Sequence, residues 1–310
     1  MKRRNFIQLS VAAGAAGLLP RLGKANQSFA EPRFRLSLAQ WSFHKAILRE
    51  KTMDPLDFAQ RAKGLGFEGI EYVNTLYSSV LQKYDSEAAG MAALGKELLM
   101  RSQDNDIQNV LIMIDAQGNL AGETKEERVE AVNTHKKWVD LAAHLGCHAI
   151  RVNLNGSDTL EAWKENSVDG LAMLGSYGAE NGINILVENH GGFSSVGKYL
   201  AGVMDAVDMD NVGTLPDFGN FCIKRSRNGC EESYDKYVGM AELMPHALAL
   251  SAKSNNFDEN GMESGIDYTK IMDIVKKSKY SGFIGVEYEG DVLSEEEGII
   301  ATRGLLKKLI

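Results

Sequence analysis

Short apolar runs alternate with longer amphipathic segments along most of this 310-residue chain. The short runs are rich in valine, isoleucine, leucine and phenylalanine and end in polar residues, which is typical of strands buried in a parallel sheet. The pattern predicts eight strands, over residues 35–43, 69–74, 107–114, 149–154, 185–190, 212–218, 247–253 and 283–289.

The segments between these runs have apolar residues at the spacing of one helix face. Several stop at a glycine, such as Gly66, Gly146 and Gly182, the residue that most readily ends a helix in the left-handed conformation. The pattern predicts eight helices, over residues 54–65, 87–103, 125–145, 160–181, 196–207, 232–244, 268–278 and 295–309.

A strand followed by a helix, repeated eight times, predicts a closed parallel (β/α)8 barrel, the TIM barrel of the α/β class. A doubly wound open sheet is the alternative, but the glycine-rich dinucleotide loop that often follows its first strand is missing from the sequence. No low-complexity linker interrupts the repeat, so we expect residues 31–310 to form a single domain.

The first thirty residues differ in character from the rest. Arg3 and Arg4 stand in a basic start that precedes a short, weakly apolar stretch over residues 9–19. This order resembles a twin-arginine export signal, so we expect residues 1–30 to direct export and the mature protein to be periplasmic. No apolar run approaches the roughly eighteen residues of a membrane-spanning helix, so no membrane span is expected.

The chain is acidic, and it becomes more acidic without that segment. Its formal charge is −8, and residues 1–30 hold five basic residues and no acidic one, so the charge without them is −13. Such a surface repels a phosphate backbone, so nucleic-acid binding is not expected. A neutral or cationic small molecule fits better as the ligand.

Three cysteines, Cys147, Cys222 and Cys230, are too few for a disulfide framework or a thiolate zinc site. Burial is their default role. A Cys222–Cys230 disulfide is the alternative in an oxidising compartment.

Polar residues are dense where the predicted strands end, which is where a barrel of this type builds its active site. Where these residues alternate along a strand, they lie on one face. They are Gln40, Ser42 and His44 on the first strand, Glu71 and Asn74 on the second, Arg151, Asn153 and Asn155 on the fourth, Glu188 and His190 on the fifth, Asp217 and Asn220 on the sixth, Ser251, Lys253 and Asn255 on the seventh, and Glu287 and Glu289 on the eighth.

Three of these residues, Glu188, Asp217 and Glu287, are carboxylates that are costly to bury without a cation or hydrogen-bond donors. Two explanations stay open. They pair with Lys253 or Arg151 in a network that only holds the barrel mouth together, or they converge on a hard divalent cation such as magnesium or manganese.

Three motifs resemble the xylose-isomerase-like barrel superfamily, which includes ketose 3-epimerases and inosose dehydratases. They are Glu-Asn-His-Gly-Gly from Glu188, Pro-Asp-Phe-Gly-Asn from Pro216, and Gly-Val-Glu-Tyr-Glu-Gly from Gly285, and the resemblance covers residues 34–310. It implies a divalent metal held by Glu188, Asp217, Glu287 and the residue at position 251.

Relatives carry a histidine at that position, and this chain carries Ser251. A serine hydroxyl is a weak metal ligand, which leaves three interpretations open. Three carboxylates hold the metal with water and His190, the metal is bound loosely, or the Lys253 ammonium replaces the metal as the electrophile.

The resemblance implies that Glu188 and Glu287 remove and return a proton on opposite faces of a sugar carbon, so we expect Glu188, Glu287 and Lys253 to be the catalytic residues. His190 is a candidate for binding substrate hydroxyls or, alternatively, only closes its strand. The aromatic residues Trp41, Phe43, Tyr72 and Phe257 either stack on the sugar or pack in the core. The other predicted substrate-binding residues are Gln40, His44, Arg151, Asn153 and Asn220.

The expected function is isomerisation or epimerisation of a sugar or polyol, with a small-molecule substrate and a divalent metal. A dehydratase or lyase acting on a keto-sugar, a keto-polyol or a 3-keto-glycoside is the first alternative, because it needs the same proton abstraction beside a carbonyl. A non-catalytic sugar-binding barrel is the second.

Overall fold

The computed structural model describes residues 33–227 and 229–310, and Arg33–Ile310 form one compact unit. The predicted export signal lies outside the described residues. The strands are β1 (Phe34–Ala39), β2 (Gly69–Val73), β3 (Gln108–Met113), β4 (Ala149–Val152), β5 (Asn184–Glu188), β6 (Val212–Leu215), β7 (Cys222–Ser226), β8 (Gly229–Ser233), β9 (Leu250–Ser254) and β10 (Gly282–Tyr288).

The α-helices follow the strands in sequence. They are α1 (Phe58–Gly64), α2 (Ser78–Leu81), α3 (Glu87–Asp104), α4 (Lys125–Leu145), α5 (Leu160–Glu180), α6 (Gly197–Val207), α7 (Lys236–Leu243), α8 (Tyr268–Lys277) and α9 (Glu295–Leu309). Among the described residues, no helix has the length and apolar character needed to span a membrane.

Eight of the strands form one sheet in the order β6-β5-β4-β3-β2-β1-β10-β9, and every neighbouring pair is parallel. Parallel bridges from Thr214 to Ala247 and from Asp217 to Ser251 join the two ends of the sheet. The predicted (β/α)8 barrel is therefore confirmed.

Local sequence signals fix the helix ends. At the start of α4, the Thr124 hydroxyl accepts a hydrogen bond from the Glu127 amide, and the Glu127 carboxylate accepts one from the Thr124 amide. This capping box satisfies donors that a helix start leaves unpaired. The same helix ends at Gly146, which adopts the left-handed conformation with φ of 72°. The predicted and observed bounds of α4 agree for that reason.

Several predicted elements have different bounds in the structure, among them the first strand and the helix predicted over 232–244. β1 stops at Ala39, and residues Gln40–Phe43 form a 3-10 turn, so the alternation expected to carry Gln40, Ser42 and His44 on one face does not exist. The helix predicted over 232–244 begins only at Lys236.

The residues before α7 form a hairpin instead. β7 and β8 pair antiparallel, and a Cys222–Cys230 disulfide joins the two strands. Burial as the default role is thus wrong for these two cysteines, whereas Cys147 is a buried free thiol. Pairing between two segments is a contact that helical spacing does not report.

Candidate functional site

A cavity of about 400 Å³ opens at the carboxyl ends of the barrel strands, within the size range of small-molecule sites. Its walls carry acidic and basic side chains from five barrel strands or the loops that follow them. They are Trp41, Val73, Asp115, Arg151, Glu188, His190, Gly191, Asn220, Cys222, Arg225, Lys253, Glu287 and Glu289.

Arg151 ties together two carboxylates on one side of the cavity. Its Nε lies 2.8 Å from Glu188 Oε2, and its Nη1 donates to Asp115 Oδ1 at 2.7 Å. Asn153 donates to the same Asp115 oxygen at 2.9 Å. Burial would raise the pKa of Asp115, but the guanidinium outweighs it and holds that pKa below its usual value. Asp115 is therefore a fixed anion that orients Arg151.

On the other side of the cavity, Lys253 likewise contacts two carboxylates. Its Nζ lies 2.8 Å from Glu287 Oε1 and 3.2 Å from Glu289 Oε1. Burial raises the pKa of Glu287 to about 8, with Lys253 opposing the rise and Glu289 adding to it. Burial also acts on Glu289, but the Lys253 ammonium prevails and its pKa is lowered. One ammonium is thus shared by two carboxylates, and burial raises the pKa of Glu287 while the ammonium lowers that of Glu289.

Asp217 is held by the chain around it. Ser251 donates its hydroxyl to Asp217 Oδ2 at 2.6 Å, and the amides of Gly219 and Asn220 donate to Oδ1 at 2.8 and 2.7 Å. Burial raises its pKa to about 6, against the lowering effect of Lys253. The Asn220 side chain also donates to Glu188 Oε1 at 2.8 Å, which links the ends of β5 and β6.

The predicted metal ligands contact other protein groups in this arrangement. Ser251 gives its hydroxyl proton to Asp217, Glu188 faces Arg151 and Asn220, and Glu287 faces Lys253. Within residues 33–227 and 229–310, no three histidine, cysteine, aspartate or glutamate side chains converge as a metal would require. Cationic side chains occupy the places where hard-cation ligands would have free oxygens.

The structure brings most predicted site residues to this cavity. Glu188, Glu287, Lys253, His190, Arg151 and Asn220 line it, Asn153 lies behind Asp115, and Asp217 and Ser251 are buried beneath. Glu188, Asp217, Glu287 and Glu289 all act on the pKa of Lys253, which they raise against the effect of its burial. The Lys253 ammonium contacts only Glu287 and Glu289 directly, while Glu188 and Asp217 act on it as nearby charges.

Gln40 and His44 are the exceptions. The Gln40 amide is fully buried, donating to the Pro55 carbonyl at 3.1 Å and the Tyr77 hydroxyl at 2.9 Å, so it serves packing behind the barrel mouth. The His44 ring stacks on Trp41 with centroids 4.8 Å apart, and its Nδ1 lies 2.8 Å from the Trp41 carbonyl oxygen. Neither side chain lines the cavity, because the chain leaves the strand geometry after Ala39.

Among the predicted aromatics, only Trp41 reaches the cavity, where a hydrogen bond from its side chain reaches Glu289. Phe43 and Tyr72 are core residues, and Phe257 packs against the core. Trp41 therefore offers an apolar surface beside the charged pairs.

Sequence reasoning missed two residues that line the cavity. Asp115 lies two residues after the end of β3, a signal that was available. Arg225 belongs to the hairpin, which no local pattern predicted.

The eight-stranded parallel barrel, with a charged cavity at the carboxyl ends of its strands, places the protein in the class of TIM-barrel proteins. Within that class the chain belongs to the xylose isomerase-like TIM barrel family, whose model matches residues 59–309. No curated protein matches the chain at a significant level.

Solved structures of sugar epimerases and a dehydratase share the fold. The 3-keto-D-glucoside 4-epimerase from E. coli is 12% identical with a TM-score of 0.65, over 89% of this chain and 99% of that one. The probable 3-DHS dehydratase from Bacillus anthracis is 18% identical with a TM-score of 0.63, over 88% and 98%. The IOLI protein, solved with a zinc atom, is 15% identical with a TM-score of 0.65, over 89% and 97%.

Proposed function

We propose that this protein is an isomerase or epimerase of a sugar or polyol that works by proton transfer beside a carbonyl group. The observation that carries the proposal is the pair Glu188 and Glu287, which line one cavity from β5 and β10, each against its own cationic side chain. Two carboxylates on different strands can act on opposite faces of one carbon. The epimerase among its structural neighbours supports the same chemistry.

In this proposal, Glu188 and Glu287 remove and return the proton, and the Lys253 ammonium stabilises the negative charge that develops on the substrate oxygen. Lys253 is buried and already shared between Glu287 and Glu289, so its charge is fixed in the cavity. Arg151 orients Glu188, while His190, Asn220 and Trp41 provide polar and apolar contacts to the ring.

The divalent metal that the family resemblance implies is the alternative source of that positive charge. Metal analysis of the purified protein after incubation with manganese or zinc separates the two sources. If Lys253 is the electrophile, the purified protein should contain less than one metal ion per chain and should stay active after a chelator is added. One bound metal per chain would assign the charge to the metal.

A dehydratase or lyase is the second candidate. It needs the same proton abstraction and, in addition, an acid for the departing hydroxyl or glycosidic oxygen. His190 at the cavity wall supplies such a group, and a dehydratase is among the structural neighbours.

We propose also that the protein works outside the cytoplasm. The twin arginine of the sequence motivates this, and the Cys222–Cys230 disulfide supports it, because such bonds persist in oxidising compartments.

Deuterium exchange tests the proposed function. Keto-sugars and 3-keto-glycosides are incubated with the protein in deuterated water, and label and product mass are followed by NMR and mass spectrometry. We expect label at one carbon and a product that is an isomer of the substrate, heavier only by the deuterium it has gained, whereas elimination loses water or an aglycone. Absence of exchange with the whole panel would leave a sugar-binding barrel and contradict the proposal.

Matched variants assign the exchange to the cavity. Glu188→Gln and Glu287→Gln should each reduce exchange about a hundredfold or more, since each removes a proton-transfer group. Asp169→Asn is the control, because Asp169 forms a carboxylate–guanidinium pair with Arg128 at 2.7 Å outside the cavity lining. Its exchange rate should equal that of the parent protein.

A further inference from the structure

The β7–β8 hairpin places a third cation at the cavity. Arg225 lies near the end of β7 and lines the cavity together with Cys222. Its partner in register on the neighbouring strand, β8, is Cys230, whose sulfur is bonded to that of Cys222. The disulfide thus ties the strand that carries Arg225 to its partner directly beside the cavity.

Among the described residues, Arg225 differs from the other two cations in having no carboxylate partner. Arg151 pairs with Glu188 and Asp115, and Lys253 pairs with Glu287 and Glu289. These two closed sets account for the four lining carboxylates. Across residues 33–227 and 229–310, no ion pair involves the Arg225 guanidinium.

A guanidinium presents a planar fork of donors that matches a carboxylate with two parallel hydrogen bonds. We propose that Arg225 binds the carboxylate of an acidic sugar, a uronate or keto-aldonate, whose carbonyl end reaches Glu188, Glu287 and Lys253. This substrate class rests on the proposed function. It also reverses, for this one cavity, the preference for neutral or cationic ligands that the acidity of the whole chain predicts.

The disulfide has a role in this proposal. An isolated two-stranded hairpin is marginally stable in water, and all of β8 is exposed. The Cys222–Cys230 bond restricts the hairpin, so the guanidinium is held over the cavity before the ligand arrives. Preorganisation of this kind increases affinity because less freedom is lost on binding.

Lys224 provides a matched control on the same strand. It precedes Arg225, does not line the cavity, and pairs with Glu231 at 2.9 Å. Its charge equals that of Arg225 and its neighbour is the same disulfide. The two residues differ in that Arg225 lines the cavity, whereas Lys224 is paired with Glu231 outside the cavity lining.

The test compares D-glucuronate with its neutral isostere D-glucuronamide by titration calorimetry of the full, oxidised protein. We expect the parent protein to bind glucuronate at least about tenfold more tightly, which corresponds to about 1.4 kcal/mol. Arg225→Gln should bring the two affinities together without changing that for glucuronamide. Lys224→Gln should keep the preference. Equal affinities in the parent protein, a preference that survives Arg225→Gln, or no binding of either compound would overturn the proposal.

The role of the disulfide is read from the Cys222→Ser/Cys230→Ser double variant. Its preference for glucuronate should fall severalfold, with circular dichroism showing that the barrel remains folded. An unchanged preference would overturn this part of the proposal.

The deuterium-exchange assay tests the proposed function separately from the role of Arg225. If the protein catalyses deuterium exchange but does not prefer glucuronate, only the proposed role of Arg225 is wrong. If it prefers glucuronate but catalyses no exchange, only the proposed catalytic function is wrong.

Discussion

At the scale of single residues, Lys253 decides how the site is interpreted. Its aliphatic stem is buried and its ammonium is within reach of Glu287 and Glu289, so it neutralises carboxylates in the barrel mouth whether or not it acts on a substrate. A structural role and a catalytic role predict different consequences for the same substitution.

Lys253→Met should lower turnover by about a hundredfold or more, comparable to the loss of an oxyanion donor, with a smaller effect on substrate binding. Turnover and melting temperature are measured together, with and without manganese. If the variant is destabilised yet fully active once folded, Lys253 is a structural ion-pair partner and the proposed role is wrong.

Glu71 is a second residue whose chemistry depends on burial. It is 1% exposed inside the barrel, and Ser37 donates to its Oε1 at 2.6 Å, while Oε2 has no partner among the described residues. A Cβ at position 285 would lie 2.5 Å from both oxygens, so glycine there leaves room for the carboxyl group. Burial raises the pKa of Glu71 to about 7, with Ser37 and Arg151 opposing and Glu188 adding to the rise.

This raised pKa gives a pH-dependent stability. Because the unfolded value is 4.5, Glu71 destabilises the folded state progressively as pH rises from about 4.5 to about 7, and no further above that. Glu71→Gln imitates the protonated acid and should remove this loss, on the order of 3 kcal/mol in the free energy of unfolding. Urea unfolding at pH 5 and pH 8 measures it. The exposed Glu68→Gln should show no such change, and equal pH dependence in both variants would contradict the prediction.

At the scale of elements, one carboxylate organises the loop between β9 and α8. Glu263 accepts hydrogen bonds from the amides of Asn255 and Asn256 at 3.2 and 3.3 Å, from Gly265 at 2.6 Å, and from Ile266. The loop has no sheet or helix to satisfy these amides, so the side chain does so. This loop follows directly after the strand that carries Lys253.

Glu263→Ala should therefore lower the free energy of unfolding by about 2 kcal/mol or more, since several amides lose a charged acceptor. Thermal unfolding and limited proteolysis of the loop measure the effect. Glu259→Ala on the same loop is the control, because Glu259 is exposed. Equal stability of the two variants would show that the loop does not depend on Glu263.

At the scale of the whole molecule, the proposed export would link the first thirty residues to the disulfide. Arg3→Lys combined with Arg4→Lys should retain the folded protein in the cytoplasm, whereas Arg21→Lys outside the pair should not. Cell fractionation measures location, and thiol labelling measures whether Cys222 and Cys230 are oxidised. Unchanged fractionation of the double variant would contradict the export proposal.

The sequence determined the barrel because its signals are local and repeated. Alternating strands and helices, the capping box at Thr124 and the glycine at Gly146 each act within a few residues, so α4 and the eight barrel strands could be located from the pattern. Polar residues at strand ends likewise placed Glu188, Asp217, Glu287 and Lys253 at one mouth, because parallel strands in a barrel end on the same side.

Only the tertiary structure decided which charges meet. The pairs Arg151–Glu188 and Lys253–Glu287 join residues of different strands, and the Cys222–Cys230 hairpin takes up the first residues of the helix predicted over 232–244. Gln40 does not line the cavity because the chain turns after Ala39. Such outcomes depend on distances between segments and on the cost of burying each charge, and neither quantity is written in the spacing of residues along the chain.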